Sequence, residues 1–120
     1  MSRTFKMLAV VALLGSSAAW AAPSKQTVNY VCQGKVRATV SYSFNAETGL
    51  PTSAQVKIKG KSFTVKYDES RSDHVDSHFQ NSQGYKLSAP ALTMKGLRST
   101  GGIIIFDKND NMLGKDCNPK

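Results

Sequence analysis

Few residues in this chain carry side chains suited to chemistry, and their spacing favours binding over catalysis. His74 and His78 stand beside Asp73 and Asp76, a set that on a helix would put two imidazoles on one face for a metal ion. The alternation of Val75, Ser77 and Phe79 makes the segment a strand instead. At about 3.3 Å per residue the two histidines are then about 13 Å apart, too far for one ion. Asp107-Lys108-Asn109-Asp110-Asn111 imitates the start of a calcium loop. Met112 occupies the position that needs glycine and Asn118 the one that needs glutamate, so the segment reads as a polar turn. No serine sits in a nucleophile elbow and the eight carboxylates are scattered, so the chain is expected to be neither an enzyme nor a holder of a metal or cofactor. A different chemistry is available at Asn81-Ser82-Gln83-Gly84-Tyr85 and, ten residues after the tyrosine, Lys95-Gly96. Two such loops at one edge of a barrel would offer a hydroxyl or amide and an ammonium to a cleft lined with carboxylates.

The elements that must position these loops are strands. Val36, Ala38, Val40, Tyr42 and Phe44 alternate with Arg37, Thr39, Ser41 and Ser43, the pattern of a half-buried antiparallel strand. Residues 54–58 and 63–67 alternate in the same way about Lys59-Gly60-Lys61-Ser62, where Gly60 supplies the positive φ of a tight hairpin. Val75, Ser77 and Phe79 share one face, as do Tyr85, Leu87 and Ala89. Gly101-Gly102 opens Ile103–Phe106, a continuous apolar run suited to a fully buried strand, and Met112–Cys117 makes a last short one. Strands at this interval, without an amphipathic helix, indicate an all-β sandwich or barrel.

The N-terminus reads as an export signal over residues 1–21: basic Arg3 and Lys6, the apolar run Met7–Leu14, and an Ala19-Trp20-Ala21 cleavage site. The run is too short for a transmembrane segment. Residues 22–120 then form one domain, exported to the periplasm, the outer surface or the medium. There an even cysteine count favours a Cys32–Cys117 disulfide over free thiols or metal ligands. Without Arg3 and Lys6 the formal charge falls from +8 to 14 basic against 8 acidic residues. Such an excess suits an acidic partner, although alternation with apolar residues puts much of it on solvated strand faces. Nucleic acid is disfavoured, because clustered exposed aromatics for base stacking are missing.

The order of Thr27-Val28-Asn29-Tyr30-Val31-Cys32-Gln33, Val40-Ser41-Tyr42, Asp73-His74-Val75-Asp76, Gly84-Tyr85 and Lys115-Asp116-Cys117-Asn118-Pro119 resembles the MliC/PliC inhibitors of c-type lysozyme, and most nearly their Neisseria adhesin-complex branch. The resemblance runs from about Thr27 to Pro119. It implies a flattened antiparallel eight-stranded β-barrel closed by the Cys32–Cys117 disulfide, and inhibition of host c-type lysozyme by occlusion of its cleft. For the adhesin-complex branch it implies a role in adhesion to host cells; the alternative to lysozyme inhibition is a surface-exposed adhesin that binds host cell glycans or proteins through its basic strand faces. The family's first motif, S-G-x-x-Y, has its serine where this chain has Asn81, with Ser82 one place later and Tyr85 in register. The second motif's lysine falls on Lys95, followed by Gly96. The implied inhibitor contacts are therefore Asn81, Ser82, Tyr85, Lys95 and Gly96, in a monomer or homodimer.

Overall fold

The structure, a computed structural model, describes residues 24–120, so the expected export signal lies outside the described residues. Eight strands follow in order: β1 Ser24–Cys32, β2 Val36–Phe44, β3 Pro51–Ile58, β4 Lys61–Tyr67, β5 Asp76–Gln80, β6 Lys86–Pro90, β7 Ile103–Phe106 and β8 Met112–Pro119. Each pairs antiparallel with the next, and β8 returns to β1, which closes an eight-stranded barrel. Closure leaves no open sheet edge, the feature that otherwise invites edge-to-edge aggregation.

The period-two pattern sets which side chains fill the interior. Val28 and Tyr30 of β1, Val40, Tyr42 and Phe44 of β2, Val56 of β3 and Val65 of β4 are all buried, while the residues between them face outward. Two interior tyrosines satisfy each other, with their hydroxyls 2.7 Å apart. Lys59 and Gly60 both have positive φ (49° and 75°), the backbone of a two-residue type I′ turn. Ile58 therefore pairs directly with Lys61, and β4 starts two residues earlier than the alternation of 63–67 suggests.

Three other expectations are corrected. The run Ile103–Phe106 is not buried on both faces: Ile103 and Ile105 are fully inside, whereas Ile104 and Phe106 are half-buried on the outer wall. A closed barrel offers only one interior face, so alternate residues must face outward whatever their polarity. Val75 does not join Ser77 and Phe79 in the interior but is 69% exposed, and His74 lies with it in a bend before β5. The last strand runs on to Pro119, because Asn118 and Pro119 pair with β1.

Consecutive antiparallel strands send their connections alternately to opposite ends. One end carries the short turns 33–35, 59–60, 81–85 and 107–111; the other carries the longer loops 45–50, 68–75 and 91–102. The last of these folds Leu92 and Leu97 beneath the barrel, where both are buried. The buried Ser77 hydroxyl accepts the Leu92 N–H at 3.0 Å. The β1–β8 seam has only two ladder pairs, Tyr30 with Pro119 and Val31 with Asn118, and there the Cys32–Cys117 disulfide joins the two strands.

Candidate functional site

The 81–85 turn is organised by Asn81. Its Oδ1 accepts the N–H groups of Gln83 and Tyr85, both at 3.0 Å, while its Nδ2 donates to the Thr64 carbonyl of β4 at 3.0 Å. The amide thus extends the β4–β5 seam past its last ladder pair, Lys66 with Gln80. The Tyr85 ring stacks on Phe63 with centroids 4.2 Å apart, pinning the far side of the turn. Gly84 holds φ of 103°, and a Cβ there would come within 3.2 Å of the Lys108 carbonyl on the neighbouring turn. Ser82 is left exposed at the tip. Of the residues expected here, Asn81 and Tyr85 act as scaffold and Ser82 is the group free to meet a partner.

Lys95 sits on a separate anchored turn. The Met94 N–H donates to the Gly49 carbonyl at 3.1 Å, and Gln26 Nε2 donates to the Met94 carbonyl at 3.3 Å. On the other side, the Gly96 N–H reaches Thr93 Oγ1 at 3.0 Å, and the Gly96 carbonyl accepts the Ser99 N–H and the hydroxyls of Ser99 and Thr100. A Cβ on Gly96 would stand 3.2 Å from Thr93 Oγ1, so glycine lets the turn close. Lys95 is exposed between these anchors, and the ion pair found among the described residues, Lys86 with Asp110, does not involve it.

The two candidate groups are not at one edge. The 81–85 turn leaves the start of β6 and the 91–102 loop leaves its end, so Ser82 and Lys95 project from opposite ends of the barrel. Their thirteen-residue separation is the rest of one turn, a five-residue strand and the first part of a loop, which spans the barrel.

At the Lys95 end the structure adds residues that sequence reasoning missed. The Ala91 N–H donates to the Val75 carbonyl at 2.9 Å, placing exposed Val75 beside the start of the Lys95 loop. Leu50, 44% exposed, follows the Gly49 that holds Met94. Asp73 Oδ1 accepts the N–H groups of Val75 and Asp76, both at 2.8 Å. Those bonds hold its carboxyl below the ordinary aspartate range. The signal for this turn was the aspartate two residues before Val75, which folds an Asx turn where alternation alone reads strand.

The remaining polar candidates are structural. His78 Nδ1 lies 3.2 Å from Ser88 Oγ, and its N–H and carbonyl groups bind Ser72 and Asp68. Asp107 Oδ1 accepts the N–H groups of Asn109 and Asn111, which closes the polar turn and lowers its carboxyl pKa. No group of three or more histidine, cysteine, aspartate or glutamate side chains placed to hold a metal occurs among the described residues. An open groove of about 980 Å³ follows the β4–β5 seam from Ser82 past Lys66 to Asp68 and Glu69. It is shallow and of mixed charge.

The barrel is thus a closed eight-stranded meander, pinned by a disulfide between its first and last strands. Residues 26–119 match the family model described as an ACP-like domain. The chain belongs to the ACP-like domain family. Among solved structures, the ACP-like barrel is similar to the Adhesin Complex Protein from Neisseria meningitidis, with a TM-score of 0.72 and 32% identity. The similarity covers 80% of this chain and 100% of that one. No curated protein matches the chain. The ACP-like match takes in every strand of the barrel and both candidate turns.

Proposed function

We propose that this protein is an exported, non-enzymatic inhibitor of c-type lysozyme that lays the long-loop end of its barrel over the active-site cleft. The observation that carries the reading is Lys95: exposed, without an ion-pair partner among the described residues, and held at the tip of a loop bonded on both sides. The resemblance to the MliC/PliC inhibitors assigns the cleft-entering lysine to this position. A lysozyme cleft holds two carboxyl groups, one kept protonated by an apolar environment and one ionised. An ammonium delivered on an anchored loop meets the ionised group through a charge-assisted bond, and the ordering cost falls on the lysine side chain rather than on the backbone. Leu50 and Val75 supply apolar contact around it.

Because Ser82 leaves the other end, one cleft cannot take both groups from one molecule. The reading assigns insertion to Lys95, with Gly96 shaping its turn, and leaves Ser82, with Asn81 and Tyr85 behind it, outside that contact. Lysis of bacterial cell walls by c-type lysozyme, followed by turbidity, tests this. The oxidised protein should block lysis stoichiometrically, and Lys95→Ala should weaken the block by about tenfold or more. Ser82→Ala should change it by less than about threefold. No inhibition at large excess would reject the function, and a loss confined to Ser82→Ala would move the contact to the opposite rim.

A further inference from the structure

The topology divides the charge of the barrel. Residues 24–67, which make β1 to β4, hold seven basic residues against one acidic, Glu47; residues 68–120 hold seven of each. The formal excess of the described chain therefore belongs to the first four strands. Glu47 lies in the loop between β2 and β3, so the outer wall of these strands carries no carboxylate. Its outward positions hold Lys25, Arg37, Lys57 and Lys66, all exposed, and apart from half-buried Val31 the others are serine, threonine, asparagine or glutamine. None of the four cations takes part in the ion pair found among the described residues. The first carboxylates appear beyond the end of β4, at Asp68 and Glu69, and bound the patch on one side.

Register fixes the layout. Lys25 faces Ser43, Ser43 faces Ser53 and Ser53 faces Lys66, so two cations end one cross-strand row. Three strand spacings separate them by about 14 Å. Lys57 lies between Thr39 and Ser62, about 13 Å along β3 from that row, and Arg37 about 20 Å along β2. Cross-strand bonds hold the surface between them, Thr27 with Ser41 and Thr39 with Asn29, each at 2.9 Å. Cations this far apart cannot clamp one small anion, but they match anionic groups repeated along a polymer. Each of the three lysines has a hydroxyl directly across from it, so an ammonium and an O–H converge on an anion with several oxygens, as sulfate has. The hydroxyls and amides between suit sugar hydroxyls. No aromatic side chain faces outward here for base stacking, and no exposed apolar one for entry into a bilayer.

We propose that the outer wall of β1 to β4, whose Lys25–Lys66 row borders the long-loop end, binds a linear sulfated polysaccharide. The test is titration of the oxidised protein with a size-defined heparin oligosaccharide. Lys25→Gln, Arg37→Gln, Lys57→Gln and Lys66→Gln combined should weaken binding about tenfold or more and flatten its salt dependence. Arg71→Gln, Lys108→Gln, Lys115→Gln and Lys120→Gln combined remove the same charge from the other half and should cost less than about threefold. Lys57→Gln alone, about 13 Å along β3 from the long-loop rim, should inhibit lysozyme as the parent does, and the wall variant should still block lysis stoichiometrically. Should it fail to fold, Lys57→Gln and Lys66→Gln singly should each weaken binding about twofold or more, and no loss in either overturns the proposal. Equal losses in the two quadruple variants would reduce the effect to net charge and overturn it. So would equal binding of desulfated heparin, of anionic phospholipid vesicles or of single-stranded DNA.

Discussion

At the scale of single residues, the tyrosine pair is a polar contact set among apolar side chains. Burial pushes the Tyr30 hydroxyl up to about 12, and that of Tyr42, more deeply enclosed and facing Tyr30, higher still. The folded protein thus holds these protons more tightly than the unfolded chain, whose tyrosines titrate near 10.0. The stability contributed by the neutral pair is complete below pH about 10 and is lost as pH rises through about 12. Tyrosinate absorbance for these two residues should therefore appear together with alkaline unfolding; an earlier, separate rise would contradict their burial. Tyr30→Phe leaves the Tyr42 hydroxyl without its partner and should cost about 1–3 kcal/mol in a denaturant titration. The Tyr30→Phe, Tyr42→Phe pair should cost less than the sum of the single changes, because no orphaned hydroxyl remains. The pairing was not legible in sequence, since two tyrosines on inward positions of adjacent strands read simply as core.

At the scale of elements, the hairpins were the most legible part. Alternation in residues 36–44 and 54–58 exposes one polar face and buries one apolar face, and Lys59-Gly60 is a turn because glycine tolerates positive φ. Alternation failed where another force set the backbone: at Val75, where the Asp73 carboxylate folds a turn, and at Ile104 and Phe106, where apolar side chains face outward. The role of Gly114 emerges only from packing. A Cβ there would meet Ile58 Cδ1 at 2.9 Å and the sulfurs of Cys32 and Cys117 at 3.0 and 3.1 Å. Gly114→Ala should therefore destabilise the barrel by about 1–3 kcal/mol through overpacking at the disulfide. Thermal melting of the oxidised variant checks this, and an unchanged Tm would mean that β8 can shift at no cost.

At the scale of the whole molecule, the disulfide closes a span of 85 residues across a seam with only two ladder pairs. In the chain-entropy account such a link contributes about 4 kcal/mol, a large share of what a domain of this size retains. Cys32→Ser with Cys117→Ser should lower Tm by about 10 °C or more, and a smaller drop would show that β1–β8 pairing alone closes the barrel. Net charge acts at this scale too. Under the proposed function, a basic inhibitor approaching a basic lysozyme is repelled at long range, so added salt should speed association, the reverse of electrostatic steering. Stopped-flow rates across ionic strength check the sign.

By itself, the sequence determined the all-β class, most of the strand faces, the Lys59-Gly60 turn, the cysteine pairing and the residues able to offer charge or hydroxyl. These follow from local rules, since side-chain alternation and turn chemistry depend on neighbours a few residues away. Tertiary structure alone decided which of those residues meet. Barrel closure sent the connections on either side of β6 to opposite ends, separating Ser82 from Lys95 despite their short interval. The same closure gathered Leu50, Val75 and Lys95 at one end from loops far apart in the chain, and laid Lys25 in one row with Lys66. Proximity across a closed sheet is set by register and shear, which no local pattern encodes.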